Sequence, residues 1–346
     1  MERRLRRIAR PLTRSVRAGA QRWDAVGVRR EAVRILRNRG VWEIGPIRRA
    51  RSGTRIARIR STPDGRQAIL KITDLSSGAA GLERERRVLV ELAAEPRLEE
   101  LRPLFPWVLD AGSDGRWSYL IQRALPGGPA TRAMAGHGAR ILTEASGIAL
   151  RLHGLTAASR VVGPGDVEEW VVRPLATLRE LVAQDPGSGE ALAIDRLTTD
   201  ISAALDGASV PVGWTHGDLW SDNILVRPDD ANITGIVDWD SASAIGLALH
   251  DQLHLVLFAR KLLAGSEIGV QICRALSADP QWDAIEIAAV SAGTDALPGS
   301  DEAARRRLGV ILYWLRLAVM NLARQPTMTL SRRWLDDNVR AVLACL

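Results

Sequence analysis

The 346-residue sequence has little cysteine, little lysine and no long apolar run. Its two cysteines, Cys273 and Cys345, provide neither a disulfide framework nor a metal-ligand cluster, and their wide spacing predicts two separate thiols in a reducing cytoplasm. No apolar stretch approaches the roughly 18 residues of a membrane span. The N-terminus also lacks the apolar segment of a secretory signal. We therefore expect a cytoplasmic protein without a transmembrane helix.

Positive charge is concentrated at the start of the chain. The net charge is +7, but residues 1–60 hold 19 arginines against four acids, so the remaining residues sum to −8. Residues 1–40 predict a basic helical arm, which either packs on the first lobe or contacts anionic lipid or nucleic acid. The packed arm is favoured, because charge runs usually mark solvated faces. We expect no specific nucleic-acid partner and only weak contact of this arm with an anionic surface.

The residues after the arm change from β-type to helical patterns. Residues 41–125 contain short β-type runs separated by turns, with one amphipathic helix at 80–95. The breaker at 125–129 (LPGGP) opens a mainly helical part, 126–346. Strands are predicted at 42–50, 55–61, 67–72, 107–111, 117–122, 224–226 and 233–237, and helices in the second part at 138–154, 168–184, 188–206, 247–264 and 302–324. The predicted fold class is α+β, with a β-rich N-lobe and a helical C-lobe.

The stretch His216-Gly-Asp-Leu-Trp-Ser-Asp-Asn223 carries the strongest chemical signal, together with an apolar strand that ends in Asp238-Trp-Asp. Phosphoryl transfer needs alignment and charge neutralisation more than covalent chemistry. Asp218 is placed to accept the proton of an acceptor hydroxyl. Asn223 and Asp238 offer the oxygen ligands that Mg²⁺ prefers. Each residue alone would be read as a loop cap or a turn residue, but the ordered set between apolar strands predicts a phosphoryl-transfer site.

These residues resemble the aminoglycoside phosphotransferase and choline kinase superfamily, relatives of the protein kinases, which carry H-G-D-x-x-x-x-N followed by D-W-[DE]. The string HGDLWS is also similar to fructosamine kinases. The resemblance covers residues 41–260 and implies a two-lobed protein-kinase-like fold, Mg²⁺, and ATP or GTP as donor. It implies that His216, within the catalytic loop, stabilises that loop by hydrogen bonding and that Asp251 braces it.

The same resemblance implies a nucleotide site in the N-lobe. Lys71 is one of only two lysines among 47 basic residues and lies where the family has its phosphate-binding lysine. Glu85 is the expected partner of this lysine, with Glu83 as the fallback. The turn Ser52-Gly53-Thr54 is the expected phosphate loop. The backbone carbonyl of Arg123 and amide of Leu125 are expected to contact the adenine.

The acceptor is less well defined by the sequence. Residues 245–346 hold ten acids and eleven Arg plus Lys, so no acidic cleft for a polycationic aminoglycoside is evident. Trp220 either stacks on a sugar face or packs in the C-lobe. Asp240 either supports the metal site or accepts hydrogen bonds within its loop, and like Trp220 it is a candidate substrate contact.

The predicted function is transfer of the ATP γ-phosphate to a hydroxyl of an antibiotic, sugar or related metabolite. One alternative is a protein kinase-like enzyme, which the lack of D-F-G and A-P-E segments disfavours. Another is a weakly active or inactive binding protein with this fold. A binding protein would have no need of Lys71, Asp218, Asn223 and Asp238 together.

Overall fold

The computed structural model describes residues 27–37, 39–50, 52–183, 185–324 and 331–346. Predictions for residues 1–26 of the basic arm lie outside the described residues. The chain forms two compact units. The first comprises the described residues up to Glu83 together with Val108–Ala124, and the second comprises Arg84–Trp107 and Leu125–Leu346. The domain limits at 40 and 125 remain predictions, and residues 84–107 group with the second unit.

The first unit contains an antiparallel sheet. Its strands are β1 (Trp42–Ile44), β2 (Arg48–Arg49), β3 (Arg55–Ser61), β4 (Gln67–Thr73), β5 (Val108–Asp114) and β6 (Trp117–Arg123). They lie in the order β1-β3-β4-β6-β5, with β2 paired to β3. The prediction of an antiparallel sheet is confirmed. The single strand predicted at 42–50 was wrong, because the segment at Pro46, which has no N–H to donate, separates β1 from β2.

Helix α1 (27–36) covers one face of this sheet. Its buried side chains Val28, Ala32, Ile35 and Leu36 form one cluster with side chains of β3, β4 and β6. The interpretation of this basic segment as a packed helix is confirmed for these residues. From β4, Ala68, Leu70 and Ile72 join the cluster. Because side chains alternate along a strand, Lys71 lies on the opposite face of the sheet.

The second unit is mainly helical. Helix α2 (Ser76–Ala94) passes from the first unit into the second at Glu83. The further helices are α3 (Met134–Thr156), α4 (Pro164–Val167), α5 (Arg173–Val182), α6 (Gly189–Leu205), α7 (Leu249–Ala264), α8 (Ile268–Leu276), α9 (Ala284–Thr294), α10 (Glu302–Arg324), α11 (Arg332–Leu335) and α12 (Ala341–Leu343). Four of the predicted helices are confirmed within a few residues as α3, α6, α7 and α10. The helix predicted at 168–184 is a π-helical turn, Glu168–Val172, that continues into α5.

Two small sheets in the second unit hold the motif residues. The strands are β7 (Gly128–Pro129), β8 (Ala158–Val161), β9 (Ser209–Thr215), β10 (Ile224–Val226), β11 (Ile233–Ile236) and β12 (Ser243–Gly246), in the orders β11-β10-β7 and β12-β9-β8. Strand β9 ends directly before His216. Strand β10 begins directly after Asn223, and β11 ends two residues before Asp238. The β10–β11 pair was predicted from the sequence, but the sheet around β9 was not.

The two cysteines are not separate thiols. Cys273 on α8 and Cys345 near the C-terminus form a disulfide, with their Cα atoms 5.7 Å apart. The prediction was wrong because the C-terminal segment packs beside α8, where Gly269 N donates to Asn338 Oδ1 at 3.0 Å. Sequence spacing therefore did not indicate spatial distance.

Among the described residues, no helix is both long and apolar enough to cross a bilayer.

Candidate active site

The loop that begins at His216 is anchored by one buried carboxylate. Asp251, on the first turn of α7, is 2% exposed. Its Oδ2 accepts from His216 N and its Oδ1 from Gly217 N, both at 2.7 Å. Two charge-assisted hydrogen bonds of this length hold the backbone directly ahead of Asp218. The expectation that Asp251 braces the loop is confirmed.

A tight turn at Gly217 gives the loop its shape. Gly217 has φ +78°, and a Cβ at this position would overlap Ser241 O and the Arg316 guanidinium. Arg316 donates from Nη1 to Gly217 O at 2.9 Å and from Nη2 to Ser241 O at 3.4 Å. The arginine on α10 thus links the loop to the segment that follows Asp240. In the sequence, Arg316 interrupts the apolar run at 308–320, and no site role was predicted for it.

Replacing this glycine should lower the free energy of unfolding for two separate reasons. Gly217→Ala would force a left-handed residue, which costs about 1–2 kcal/mol, and overpacking adds about 1–3 kcal/mol. Gly207 is the matched control, because it has φ +71° and open space around the position of a Cβ. Gly207→Ala should therefore show the backbone cost alone. Urea unfolding of both variants measures the difference, and equal losses would contradict the close approach at Gly217.

The ring of His216 is engaged on both sides by the backbone. Its Nδ1 lies 3.3 Å from Asp218 N, which donates to it, and its Nε2 donates to Val237 O at 3.0 Å. This pattern fits the neutral imidazole with its proton on Nε2. The side chain is 1% exposed and meets the ring of Trp239 edge-on at 4.6 Å. His216 therefore joins the loop to the end of β11, in keeping with the structural role expected for it.

The two expected metal ligands lie at the same end of the β10–β11 hairpin. Val237 N donates to Asn223 O at 2.9 Å, which extends the β10–β11 pairing by one bond. This bond places Asn223 across from Val237, the residue directly before Asp238. Asn223 Nδ2 donates to Asp218 O at 2.8 Å, which leaves the amide oxygen as its acceptor atom. One amide oxygen and one carboxylate suit a hard cation that also binds phosphate oxygens. Within the described ranges, no group of three Asp, Glu, His or Cys side chains is placed to hold a metal.

Asp238 adopts a backbone conformation that is uncommon for a non-glycine residue. Its φ and ψ are 73° and 59°, in the left-handed region. Such residues cost free energy and persist where their surroundings fix them. The next residue supplies that support, because Trp239 is fully buried, meets Phe105 edge-on at 4.8 Å and donates from Nε1 to Ile236 O at 2.9 Å. The carboxylate is therefore presented by a locked turn.

Asp240 and Trp220 lie at the margins of this loop. Ser241 Oγ donates to Asp240 Oδ1 at 3.3 Å, and Arg84 Nε donates to the Asp240 carbonyl at 3.4 Å. This favours the role of Asp240 as a hydrogen-bond acceptor within its loop. The half-buried Trp220 lies 5.8 Å from the ring of Phe258 on α7. Contact of Trp220 or Asp240 with the substrate stays a prediction.

The candidate nucleotide-binding residues Lys71 and Glu85 belong to different units. Lys71 is 5% exposed, and its neighbours across the strands are Ile56 and Leu120. Glu85 is 1% exposed whereas Glu83 is exposed. Of the two glutamates, the buried Glu85 is the one whose carboxylate requires a partner. The pairing of Lys71 with Glu85 stays a prediction.

The turn between β2 and β3 contains Ser52, Gly53 and Thr54. Gly53 has φ +84° and donates from its N–H to Ala50 O at 3.1 Å. The hydroxyls of Ser52 and Thr54 are hydrogen-bonded to each other at 3.2 Å, and Arg55 donates to Gly53 O. The role of this turn in phosphate binding stays a prediction.

The two expected adenine contacts lie at the end of β6. Arg123 is the last residue of this strand and pairs with Ala68. Leu125 is 3% exposed and lies against Gly235, where a Cβ would overlap its side chain. The contacts of both backbones with adenine stay predictions.

A cavity of about 420 Å³ lies within the second unit, next to the anchored loop. It is lined by residues of the π-helical turn, α5, β12, α7 and α10, among them Glu169, Trp170, Arg173, Ile245, His250 and Arg316. Burial, followed by the nearby Arg316, lowers the pKa of His250 well below its usual 6.5, so this ring is uncharged at neutral pH. Arg316 therefore lines the cavity and also holds Gly217, directly before Asp218.

The fold is similar to that of several solved kinases of small molecules. An aminoglycoside phosphotransferase, solved as a thermostable mutant with AMP-PNP and hygromycin B, superposes with a TM-score of 0.56 at 15% identity, over 88% of this chain and 95% of that one. A putative fructosamine-3-kinase from Haemophilus somnus gives 0.50 at 14% identity over 88% and 92%. An ethanolamine kinase from Plasmodium vivax gives 0.50 at 10% over 88% and 81%. At these identities the likeness shows the fold, and the predicted α+β kinase-like fold is confirmed.

The sequence itself was also compared with family profiles and with curated proteins. The search of curated proteins gave no match. The profile of the family described as "Phosphotransferase enzyme family" matches residues 46–308, about three quarters of the chain. The resemblance inferred from the motifs and the prediction of a phosphotransferase are thereby confirmed, and the chain belongs to the phosphotransferase enzyme family.

Proposed function

We propose that the protein is a small-molecule kinase that transfers the γ-phosphate of Mg-ATP to a hydroxyl group. The observation that carries the proposal is the anchored loop, in which Asp251 and Arg316 fix the backbone beside Asp218. In the proposed reaction the acceptor oxygen forms a bond to the γ-phosphorus while the bond from that phosphorus to the β,γ-bridging oxygen breaks. The hydroxyl proton passes to Asp218, and ADP leaves.

Asn223 and Asp238 are the residues we assign to Mg²⁺. A bound Mg²⁺ would neutralise the charge that develops on the phosphate oxygens. Their placement at one end of a short hairpin and the left-handed turn at Asp238 support this assignment. Lys71, on the sheet face opposite α1, is assigned to the α- and β-phosphates as a point charge.

The cavity lined by Trp170 and Arg316 is the proposed acceptor subsite. Its charged lining residues are Glu169, Arg173 and Arg316, which leave one excess positive charge because His250 is uncharged. A polycation would be repelled by this lining, whereas a neutral or anionic hydroxyl compound with an apolar face would be accepted. The proposed acceptor is therefore of the second kind, and the sequence-based argument against an aminoglycoside points the same way.

Labelled ATP with Mg²⁺ tests the proposal on pools of hydroxyl compounds: aminoglycosides, macrolides, nucleosides, amino sugars, ketosamines and choline. A labelled product from a neutral or anionic pool is the expected result. Labelling of the aminoglycoside pool alone would overturn the proposed acceptor class but not the kinase. ATP binding with no transfer to any pool or to water would favour a binding protein with this fold.

Trp170→Ala should weaken acceptor binding selectively. An aromatic contact contributes about 0.5–1.5 kcal/mol beyond buried area, so KM for the acceptor identified in the screen should rise about 2- to 10-fold. KM for ATP should stay unchanged. Trp334→Ala is the matched control, because Trp334 packs on the same core but does not line the cavity. Equal KM for the acceptor in both variants would place the acceptor elsewhere.

A further inference from the structure

A stacked and hydrogen-bonded side-chain cluster lies behind Asp218. His254 on α7 is 1% exposed, and its Nε2 lies 3.1 Å from Asp218 Oδ1. Its ring stacks on Phe258 with the centroids 4.0 Å apart and an interplanar angle of 21°. On the other side, its Nδ1 lies 3.1 Å from the hydroxyl of Tyr313 on α10. These contacts join the expected base to two helices that the sequence motif does not include.

The Tyr313 hydroxyl lies within hydrogen-bond distance of His254 Nδ1 and, when it donates there, fixes the imidazole proton on Nε2. Burial raises the pKa of Tyr313 well above its usual 10, and the side chain is 1% exposed, so the hydroxyl keeps its proton. The hydroxyl can therefore donate to Nδ1. In the neutral imidazole an acceptor Nδ1 requires the proton on Nε2. That N–H is the group that lies against Asp218.

The Nε2 atom of His254 is buried and makes no well-aligned hydrogen bond within the described part of the chain. The 3.1 Å approach to Asp218 Oδ1 is thus a contact whose direction is imperfect. Catalytic hydrogen bonds are often misaligned without substrate and tighten in the reactive complex. A small rotation of the Asp218 side chain, which is 21% exposed, would complete this one.

We infer that Tyr313 and His254 form a positioning relay for Asp218. Tyr313 donates to Nδ1, and the Nε2–H of His254 holds Oδ1, so that Oδ2 takes the proton of the acceptor hydroxyl. His254 keeps its own proton throughout, so both residues are positioning residues and not catalytic ones. The inference rests on the proposed role of Asp218 as the base.

Helix α10 supports this relay from a second point. Tyr313 reaches His254, and one turn later Arg316 holds Gly217 O. The residue before Asp218 is therefore fixed by its backbone, while Asp218 itself is approached through its carboxylate. A base held at both points loses less rotational freedom when it meets its substrate, which is how positioned groups accelerate a reaction.

The tautomer can be measured without any substrate. The chain has only five histidines, so the imidazole ¹⁵N spectrum of protein labelled at histidine is simple, and His254→Gln identifies the signals of His254. We expect the Nε2-protonated neutral form in the wild type and a shift towards the other tautomer in Tyr313→Phe. An Nδ1-protonated or a charged His254 in the wild type would overturn the inference. A tautomer that does not respond to Tyr313→Phe would do the same.

Kinetics separate positioning from a merely structural role. ADP release from Mg-ATP, with water as acceptor, is the probe. His254→Leu should lower kcat by about 10- to 100-fold, with KM for ATP unchanged, and His254→Gln, which retains an N–H near the Nε2 position, should recover a measurable part of kcat. His137→Leu, at an exposed position of α3, is the control. Full kcat in His254→Leu, or equal losses in the Leu and Gln variants, would refute the relay.

The two proposals fail in different ways. If Asp218→Asn does not reduce the wild-type rate, the proposed base is wrong, whatever His254 does. If that variant is inactive but His254→Leu turns over normally, only the relay is wrong. If the wild type transfers phosphate neither to water nor to any acceptor pool, the proposed kinase fails, and the tautomer measurement still decides whether Tyr313 sets the proton of His254.

Discussion

Asp218→Asn should remove nearly all phosphate transfer while the protein still binds ATP. The substitution keeps the size of the side chain but removes its negative charge and its capacity to take a proton. General base catalysis contributes about 10²- to 10⁴-fold, so kcat should fall within that range. The loop should keep its shape, because Asp251 accepts from, and Arg316 donates to, backbone atoms of residues ahead of Asp218. Labelled phosphate transfer and ATP titration measure the two properties separately.

Asp222→Asn is the matched control for that experiment. Asp222 lies in the same loop, is exposed and accepts a hydrogen bond from Thr131, so the variant makes the same change of charge four residues away. Near-normal turnover is expected for this control. If both variants lost activity equally, the loss would reflect loop charge rather than a base. If Asp218→Asn turned over ATP normally, the assignment of the base would be wrong.

The sequence was informative where chemistry is local along the chain. His216 to Asn223 form one continuous loop, so residue spacing predicted which side chains come together, and β10 and β11 follow from short apolar runs beside it. The buried face of α1 also followed from its helical spacing. Local patterns therefore predicted the fold class and the core of the site.

The sequence was uninformative where a contact joins distant segments. Arg316 is 99 residues from Gly217, and Tyr313 is 59 residues from His254. In the sequence, His254 and Arg316 are polar breaks within the apolar segments 245–259 and 308–320. Because a polar side chain on a buried helix face needs a partner, such breaks are the signal that could have marked them. The partner itself is fixed by helix packing, which spacing along the chain does not reveal.

The same argument applies to the disulfide. Cys273 and Cys345 have a sequence separation of 72 residues, and each alone resembles an isolated thiol. Their proximity depends on how the C-terminal segment packs beside α8, and no motif marks that packing. Tertiary contacts of this kind were outside what residue spacing could predict.

Removing the loop anchor is the second large effect that we expect. Asp251→Ala leaves the N–H groups of His216 and Gly217 without acceptors in a buried position. Each unsatisfied buried group costs about 1–3 kcal/mol, so the free energy of unfolding should fall by about 2–6 kcal/mol. Part of that loss is offset because a buried charge is also removed. Urea unfolding, followed by tryptophan fluorescence, measures the change.

A second substitution at Asp251 separates the contribution of its hydrogen bonds to stability from the contribution of its charge. Asp251→Asn keeps one acceptor oxygen and loses the charge, so its stability should lie between those of the wild type and Asp251→Ala. Asp195→Ala is the control, because Asp195 is 57% exposed and pairs with Arg179 at the surface, where an ion pair contributes at most about 1 kcal/mol. Unfolding of Asp251→Ala at the wild-type urea concentration would show that the loop is held by other contacts. Turnover should also fall from the wild type to Asp251→Asn and further to Asp251→Ala. The reason is that the two hydrogen bonds that stabilise the loop also position Asp218, which directly follows Gly217.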